Sequence, residues 1–321
     1  MNLIEIPAAK LNPKEFIKEK VKEISDTVGD GSAITALSGG VDSSVVTLLG
    51  HRALGDGLKA YFINNGLMRQ DEPEGVARIF RKFGIHVEIL DAREAFFAAL
   101  KGIHDPEEKR EAITQTFYKT VFSPLFKNSG TRYLLQGTIL TDVEETVAGV
   151  KRQHNVLQQL GIDPQQAFGY GVIEPLVQIR KDGVRKVAKA LGLPESVYKR
   201  MPFPGPALAA RVVGEASPER IALVRKATAI VERELQNVKA FQCMAILHED
   251  RFAGMKEGKR EFGMQIEVRC WKSVDARTAT PAWLPPRLQE KLARRITTGI
   301  PGVVSVTYNI TPKPPSTMEA V

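Results

Sequence analysis

Read as a pattern of apolar and polar positions, the chain begins with a helical period. Phe16, Ile17, Val21 and Ile24 recur on one face, Asn12 is placed to cap and Pro13 to open the first turn, so a helix is expected over 12–28. Short strand-like runs then alternate with longer amphipathic stretches. The runs are 33–37, 59–64, 86–91, 132–137 and 171–176, the last closing on Pro175, which suits a strand end. Between and after them, helical spacing covers 41–54, 71–83 (with Gly84 as its cap), 92–100, 106–126 and 181–191, the last closed by Gly192 and Pro194. Strand, helix, strand, helix at this spacing reads as parallel βαβ units. The expectation is an α/β fold, a doubly wound parallel five-stranded sheet.

The pattern changes at Pro202-Phe203-Pro204-Gly205-Pro206, which reads as a stiff linker or shaped loop. Beyond it come a helix from Ser217 to about Gln236, strands over 240–247, 261–271 and 303–310, and a basic helix over 285–297. Phe262, Met264, Ile266, Val268 and Cys270 alternate with polar residues, as on an antiparallel strand with one buried face. The expected organisation is one domain over 1–200, with a long polar connection at about 139–170 acting as a lid, and a small α+β dimerisation domain over 201–321. The tail from Pro312 carries no structure signals.

Bulk composition refines this picture at few points. The 321 residues exceed the usual size of a single core, while 43% apolar and 26% charged content is an ordinary globular balance. The first residues do not form a signal peptide and no apolar run is long enough to span a bilayer, so a cytoplasmic protein is expected. Cys243 and Cys270 are too far apart for a C-x-x-C site and read as two packed thiols. The formal charge of +8 suits phosphate-rich small molecules and an acidic partner. Without a basic block interleaved with aromatics, nucleic acid is not expected.

The candidate chemistry centres on Leu37-Ser38-Gly39-Gly40-Val41-Asp42-Ser43-Ser44. It joins an expected strand to an expected helix. Two glycines allow close backbone approach, and a helix N-terminus offers unpaired N–H groups to an anion. Ser38, Ser43 and Ser44 add hydroxyls. Asp42 is out of place beside phosphate unless it holds a metal that bridges to it. The P-loop pattern with its lysine is absent. Strand-end geometry places Asn64, Asn65, Gly66, Gly137 and Thr138 on the same rim.

The loop resembles the SGGxDS loop of the ATP pyrophosphatases, and the order of further motifs resembles the synthetase part of the GMP synthetase family, in its form without a fused glutaminase. The motifs are Asn65-Gly66-Leu67-Met68-Arg69, Asp105-Pro106-Glu107-x-Lys109-Arg110, Gln136-Gly137-Thr138-Ile139, His154-Asn155, Glu174-Pro175-Leu176, Lys181-Asp182, the Pro202–Pro206 run, Gly214-Glu215 and Lys313-Pro314-Pro315. The resemblance implies an adenine nucleotide alpha hydrolase-like sheet and an AMP-forming carbon–nitrogen ligase. ATP and Mg²⁺ serve as cofactors, XMP is adenylated and then aminated to GMP, and pyrophosphate is released. Ammonia comes from solution or a separate glutaminase subunit, since neither cysteine sits in a glutaminase elbow; a homodimer is also implied. By the same resemblance, Ser38, Gly39, Gly40, Val41, Asp42, Ser43 and Ser44 hold pyrophosphate, with Asp42 on Mg²⁺. Asn65, Gly66, Gly137 and Thr138 contact the adenylate. Lys181 and His154 join Asp42 as catalytic groups. Arg211, Arg269, Lys313 and Glu319 bind the acceptor nucleotide. The chain departs from the family where PFPGPGLGxR carries Ala207 and Ala209, where RAVET reads Arg269-Cys270-Trp271-Lys272-Ser273, and at 318–321. A paralogous ATP pyrophosphatase acting on another acceptor is the alternative these positions raise.

Overall fold

The computed structural model describes residues 4–147, 169–256, 258–274 and 276–320. The chain forms two compact units. The first comprises Met1–Asn64, Glu72–Asp91 and Phe117–Arg200; the second comprises Asn65–Asp71, Ala92–Thr116 and Met201–Val321.

In the first unit, strands β1 (Ala33–Leu37), β2 (Leu58–Asn64), β3 (Val87–Asp91), β4 (Tyr133–Leu135) and β5 (Gly171–Ile173) form one parallel sheet in the order β3-β2-β1-β4-β5. The expected five-stranded doubly wound sheet is present. Ala33, Ile34 and Phe62 of β1 and β2 have no exposed surface, as their apolar runs require. Helices Pro13–Val28, Val41–Leu54 and Lys181–Leu191 pack against one another. Asn12 caps the first of these by accepting the N–H groups of Lys14 and Glu15. The strand order reverses between β1 and β4, and ligands in open α/β sheets sit at that switch point, outside the carboxyl ends of the strands.

Several element limits differ from the sequence reading. β4 and β5 are only three residues each, so Gly137, Thr138 and Glu174 lie beyond strand ends. The helix expected over 106–126 is three pieces: an α-helix Pro106–Gln115, a π-helical turn Thr116–Phe122 and an α-helix Ser123–Ser129. Pro124 has no N–H to give to the preceding turn, and a widened turn absorbs that loss.

In the second unit, β6 (Gln242–Lys256) and β7 (Lys259–Lys272) make a long antiparallel ribbon. The short β8 (Thr280–Pro281) pairs with β7 antiparallel, and β9 (Val303–Tyr308) pairs with it in parallel. Helix Pro218–Glu234 packs on β6, and helix Pro286–Gly299 on β9. Asn65–Asp71 and Ala92–Thr116 fold with this unit through hydrogen bonds from Leu208 N–H to the Leu67 carbonyl (2.9 Å) and from Lys109 Nζ to the Val212 carbonyl (2.8 Å). A single boundary near residue 200 does not describe these two excursions. Cys243 and Cys270 are register partners 4.1 Å apart at Cα, and they are joined as a disulfide rather than standing as two separate thiols. Their partnership follows from strand register, which the sequence separation of 27 conceals.

Candidate functional site

In the first unit, the backbone leaves β1 and turns at Gly39, whose φ is +75°. An added Cβ there would lie 2.5 Å from Glu72 Oε1, so both conformation and space call for glycine. Gly40 is the N-cap of helix Val41–Leu54 and offers no side chain to its first turn, which leaves those N–H groups without a side-chain cap. Ser43 Oγ receives the Ser38 N–H (3.2 Å), lies 3.1 Å from Ser38 Oγ and reaches the Gly40 carbonyl (3.2 Å). Ser44 is buried and donates to the Gly40 carbonyl, so its hydroxyl closes the helix turn. Val41 is buried beneath the loop.

Asp42 Oδ2 is ion-paired with Lys181 Nζ, at the first turn of helix Lys181–Leu191. Its Oδ1 is buried with no hydrogen-bond partner among the described residues. An orphaned carboxylate oxygen beside a phosphate-type loop suits a hard cation, which takes oxygen ligands. Gly137 lies against the same helix start. A Cβ on it would be 3.0 Å from Asp42 C and from Ser43 N. Thr138 has no exposed surface and donates through Oγ1 to Glu174 Oε1 (2.5 Å). Burial pushes the Glu174 carboxyl up from the ordinary carboxylate range; the Thr138 hydrogen bond opposes this and the charge of Asp142 adds to it. The first unit thus brings together Ser38–Ser44, Gly137, Thr138 and Lys181. His154 and most of the expected lid lie outside the described residues.

The second unit holds the other candidates. Asn65 Oδ1 accepts the Leu67 N–H (2.9 Å), and Gly66 turns at φ +74°. Arg69 and Arg211 both lie over the ring of Phe203, their guanidinium carbons 3.9 and 4.7 Å from its centre. Arg211 is wholly buried, with Nε 3.4 Å from Glu319 Oε2 and both terminal nitrogens unpartnered among the described residues. Gln242 Nε2 donates to Glu319 Oε1 (2.8 Å), and Arg269 Nη1 to the Thr317 carbonyl (3.1 Å). Lys313 pairs with Ala279 through both backbone groups and extends Nζ to the Ala276 carbonyl (2.7 Å). Met318 and Ala320 pack on Met244, Ile246, Trp271 and Ala279. The tail expected to lack structure is therefore bound along its length, and Arg211, Arg269 and Glu319 converge. Lys313 is anchored at another point of the tail. The sequence reading missed Glu72, Arg200 and Gln242. Gln242 meets Glu319 only through the packing of the tail onto the second unit, and Arg200 carries no signal beyond standing two residues before Pro202.

Sheet order, a glycine–serine loop at the switch point and the Asp42–Lys181 pair define the class: a PP-loop ATP-pyrophosphatase domain. The family model "NAD synthase" matches residues 11–205, and the model "GMP synthase C terminal domain" matches 229–320. A subunit of the glutamine-hydrolyzing GMP synthase from Pyrococcus furiosus is 47% identical over 309 residues, covering 95% of this chain and 97% of that one. Its counterparts from Thermococcus kodakarensis and Archaeoglobus fulgidus are 48% and 46% identical over 95% and 96% of this chain and 99% of each relative. The chain belongs to this family of glutamine-hydrolyzing GMP synthase subunits. Among solved structures, the NH3-dependent NAD synthetase from Campylobacter jejuni aligns at a TM-score of 0.47 and 15% identity, over 59% of this chain and 78% of that one.

Proposed function

We propose that the chain carries out the ATP-dependent amination of XMP to GMP that its family membership implies, through an adenyl-XMP intermediate, releasing AMP and pyrophosphate. The observation that carries the reading is the uncapped helix start behind Gly39-Gly40, set beside an Asp42–Lys181 pair at the sheet's switch point. The XMP C2 oxygen attacks the α-phosphorus of ATP, and the bond to the β-phosphate oxygen breaks. Ammonia then adds at C2, and AMP departs with the oxygen. Both steps need positioning and charge stabilisation more than covalent help from the protein.

The loop N–H groups and the Ser38 and Ser43 hydroxyls cradle the departing pyrophosphate, and Lys181 offsets its charge. Asp42 would hold Mg²⁺ through Oδ1, which has no partner among the described residues, and the ion would supply charge neutralisation to the phosphates when bound. Gly137 and Thr138 border the adenylate. Arg211, Arg269, Lys313 and Glu319 serve the acceptor. Neither Cys243 nor Cys270 stands in the G-x-C-x-G elbow that a glutaminase nucleophile needs, so ammonia comes from a separate glutaminase subunit or from solution. Met255, Phe262 and Ile310 stand exposed on the second unit, and a homodimer in which a second copy covers such side chains belongs to the same reading. A cytoplasmic location belongs to the same reading.

The test is pyrophosphate release from ATP with ammonium and Mg²⁺, with and without XMP. XMP-dependent release with GMP formed is the expected result. Release that depends on a different acceptor overturns the choice of XMP.

A further inference from the structure

We infer that Glu72 and Arg200 are positioning residues that pin the Gly39–Gly40 peptide so that the pyrophosphate loop presents an N–H, and not a carbonyl, to the leaving group. A single nitrogen, Arg200 Nη1, donates to the Gly39 carbonyl at 3.1 Å and lies 2.6 Å from Glu72 Oε1. The Glu72 side chain is 3% exposed and occupies the space where a Cβ on Gly39 would stand. The carboxylate therefore fixes the guanidinium, and the guanidinium fixes the carbonyl.

The consequence follows from peptide geometry. In a planar trans peptide the C=O and the N–H point in opposite directions. Holding the Gly39 oxygen toward Arg200 turns the Gly40 N–H the other way, toward the loop interior, where Ser38 Oγ lies 3.4 Å from it. A peptide between two glycines meets the least steric resistance to turning over. Turned over, it would aim a carbonyl oxygen at the phosphate in place of a donor, replacing attraction with repulsion. The pin therefore sits on the one peptide of the loop that most needs it. Sequence alone hides it, because Gly39, Glu72 and Arg200 are widely separated along the chain.

This inference rests on the loop being the pyrophosphate cradle, so its test carries a control for that reading. Inorganic pyrophosphate is used as a product inhibitor of the intact chain with ATP, XMP and ammonium, for the wild type and for Arg200→Ala, Glu72→Gln, their double variant and Ser43→Ala. Arg200→Ala is expected to weaken pyrophosphate inhibition and lower kcat by about ten-fold, the scale of one hydrogen bond to a charged group, with the KM for XMP little changed. Glu72→Gln, which keeps size, moves the same quantities in the same direction. The double variant is no worse than Arg200→Ala, because both act through one carbonyl. If Ser43→Ala weakens pyrophosphate inhibition while Arg200→Ala and Glu72→Gln only lower the melting temperature, the pin is overturned and the cradle stands. If Ser43→Ala also leaves inhibition unchanged, the cradle reading fails and the pin falls with it.

Discussion

Glu319 and Arg211 are partners inside the second unit, with Oε2 3.4 Å from Nε of a guanidinium that has no exposed surface. Groups in contact cannot grip opposite ends of one nucleotide, so in the proposed function the two serve the same end of the acceptor. Burying a guanidinium with both terminal nitrogens unpaired is costly unless a further acceptor meets them. Glu319→Gln and Arg211→Lys are each expected to raise the KM for XMP by about ten-fold, with the KM for ATP little changed. The double variant should be no worse than the worse single, since one interaction is lost either way. Steady-state kinetics with each substrate varied in turn checks this, and additive losses would place the two residues at separate points on the ligand.

Asp42 has one oxygen bound by Lys181 and the other buried without a partner among the described residues. Asp42→Asn keeps the shape and removes the charge that pairs with Lys181 and that, in the proposed function, holds the cation. Pyrophosphate release is expected to fall by about a thousand-fold or more, since the electrostatic stabilisation of the leaving group is lost. Magnesium titrations of the residual rate should require higher concentrations than the wild type. Unchanged turnover would remove Asp42 from the metal's shell.

How much of this was legible in the chain depends on the range of the interaction. The loop at 37–44 was readable because strand, glycines and helix start are contiguous, and the parallel sheet was readable because short strands alternate with helices at βαβ spacing. The β6–β7 ribbon extends to Lys256, beyond the expected 240–247, because its outer residues pair by backbone bonds where no apolar face marks them. Cys243 and Cys270 meet through register, Gln242 meets Glu319 through the packing of the tail, and Arg200 meets its partners through the fold. The tail looked structureless because its anchors, Ala276 and Ala279 for Lys313 and Arg269 for Thr317, lie far back in the chain.

Ala207 shows that one departure from the family pattern has a structural cost and its neighbour does not. Ala207 adopts φ +54°, a left-handed conformation in which a Cβ crowds the following carbonyl, whereas Ala209 is absent from the positive-φ residues and its methyl is simply buried. Relief of the strain outweighs the greater freedom of glycine in the unfolded chain. Ala207→Gly should therefore stabilise the protein by about 1 kcal/mol, while Ala209→Gly should destabilise it. Denaturant midpoints of the two variants provide the comparison; a loss of stability in Ala207→Gly would show that no strain is stored there.

Glu267 supplies the pH dependence. Burial acts to raise its carboxyl, but hydrogen bonds from His248 Nε2 (2.8 Å), Arg269 Nε (2.5 Å) and Asn309 Nδ2 (2.9 Å), with the charge of Arg269, outweigh burial and hold it at about 2, below the ordinary 4.5. The folded protein thus resists protonation that the unfolded chain accepts. As pH falls, the unfolded state takes up the proton first, and stability drains away. The contribution is complete above about pH 4.5 and is lost progressively as pH falls toward 2. Other carboxylates add their own acid dependence, so the measurement is a difference. The urea midpoint of Glu267→Gln should be lower than that of the wild type near neutral pH, and the gap should narrow through that window. A gap that stays constant from neutral pH down to about pH 2.5 would mean that the carboxyl titrates alike in both states, and that His248, Arg269 and Asn309 do not favour its charged form.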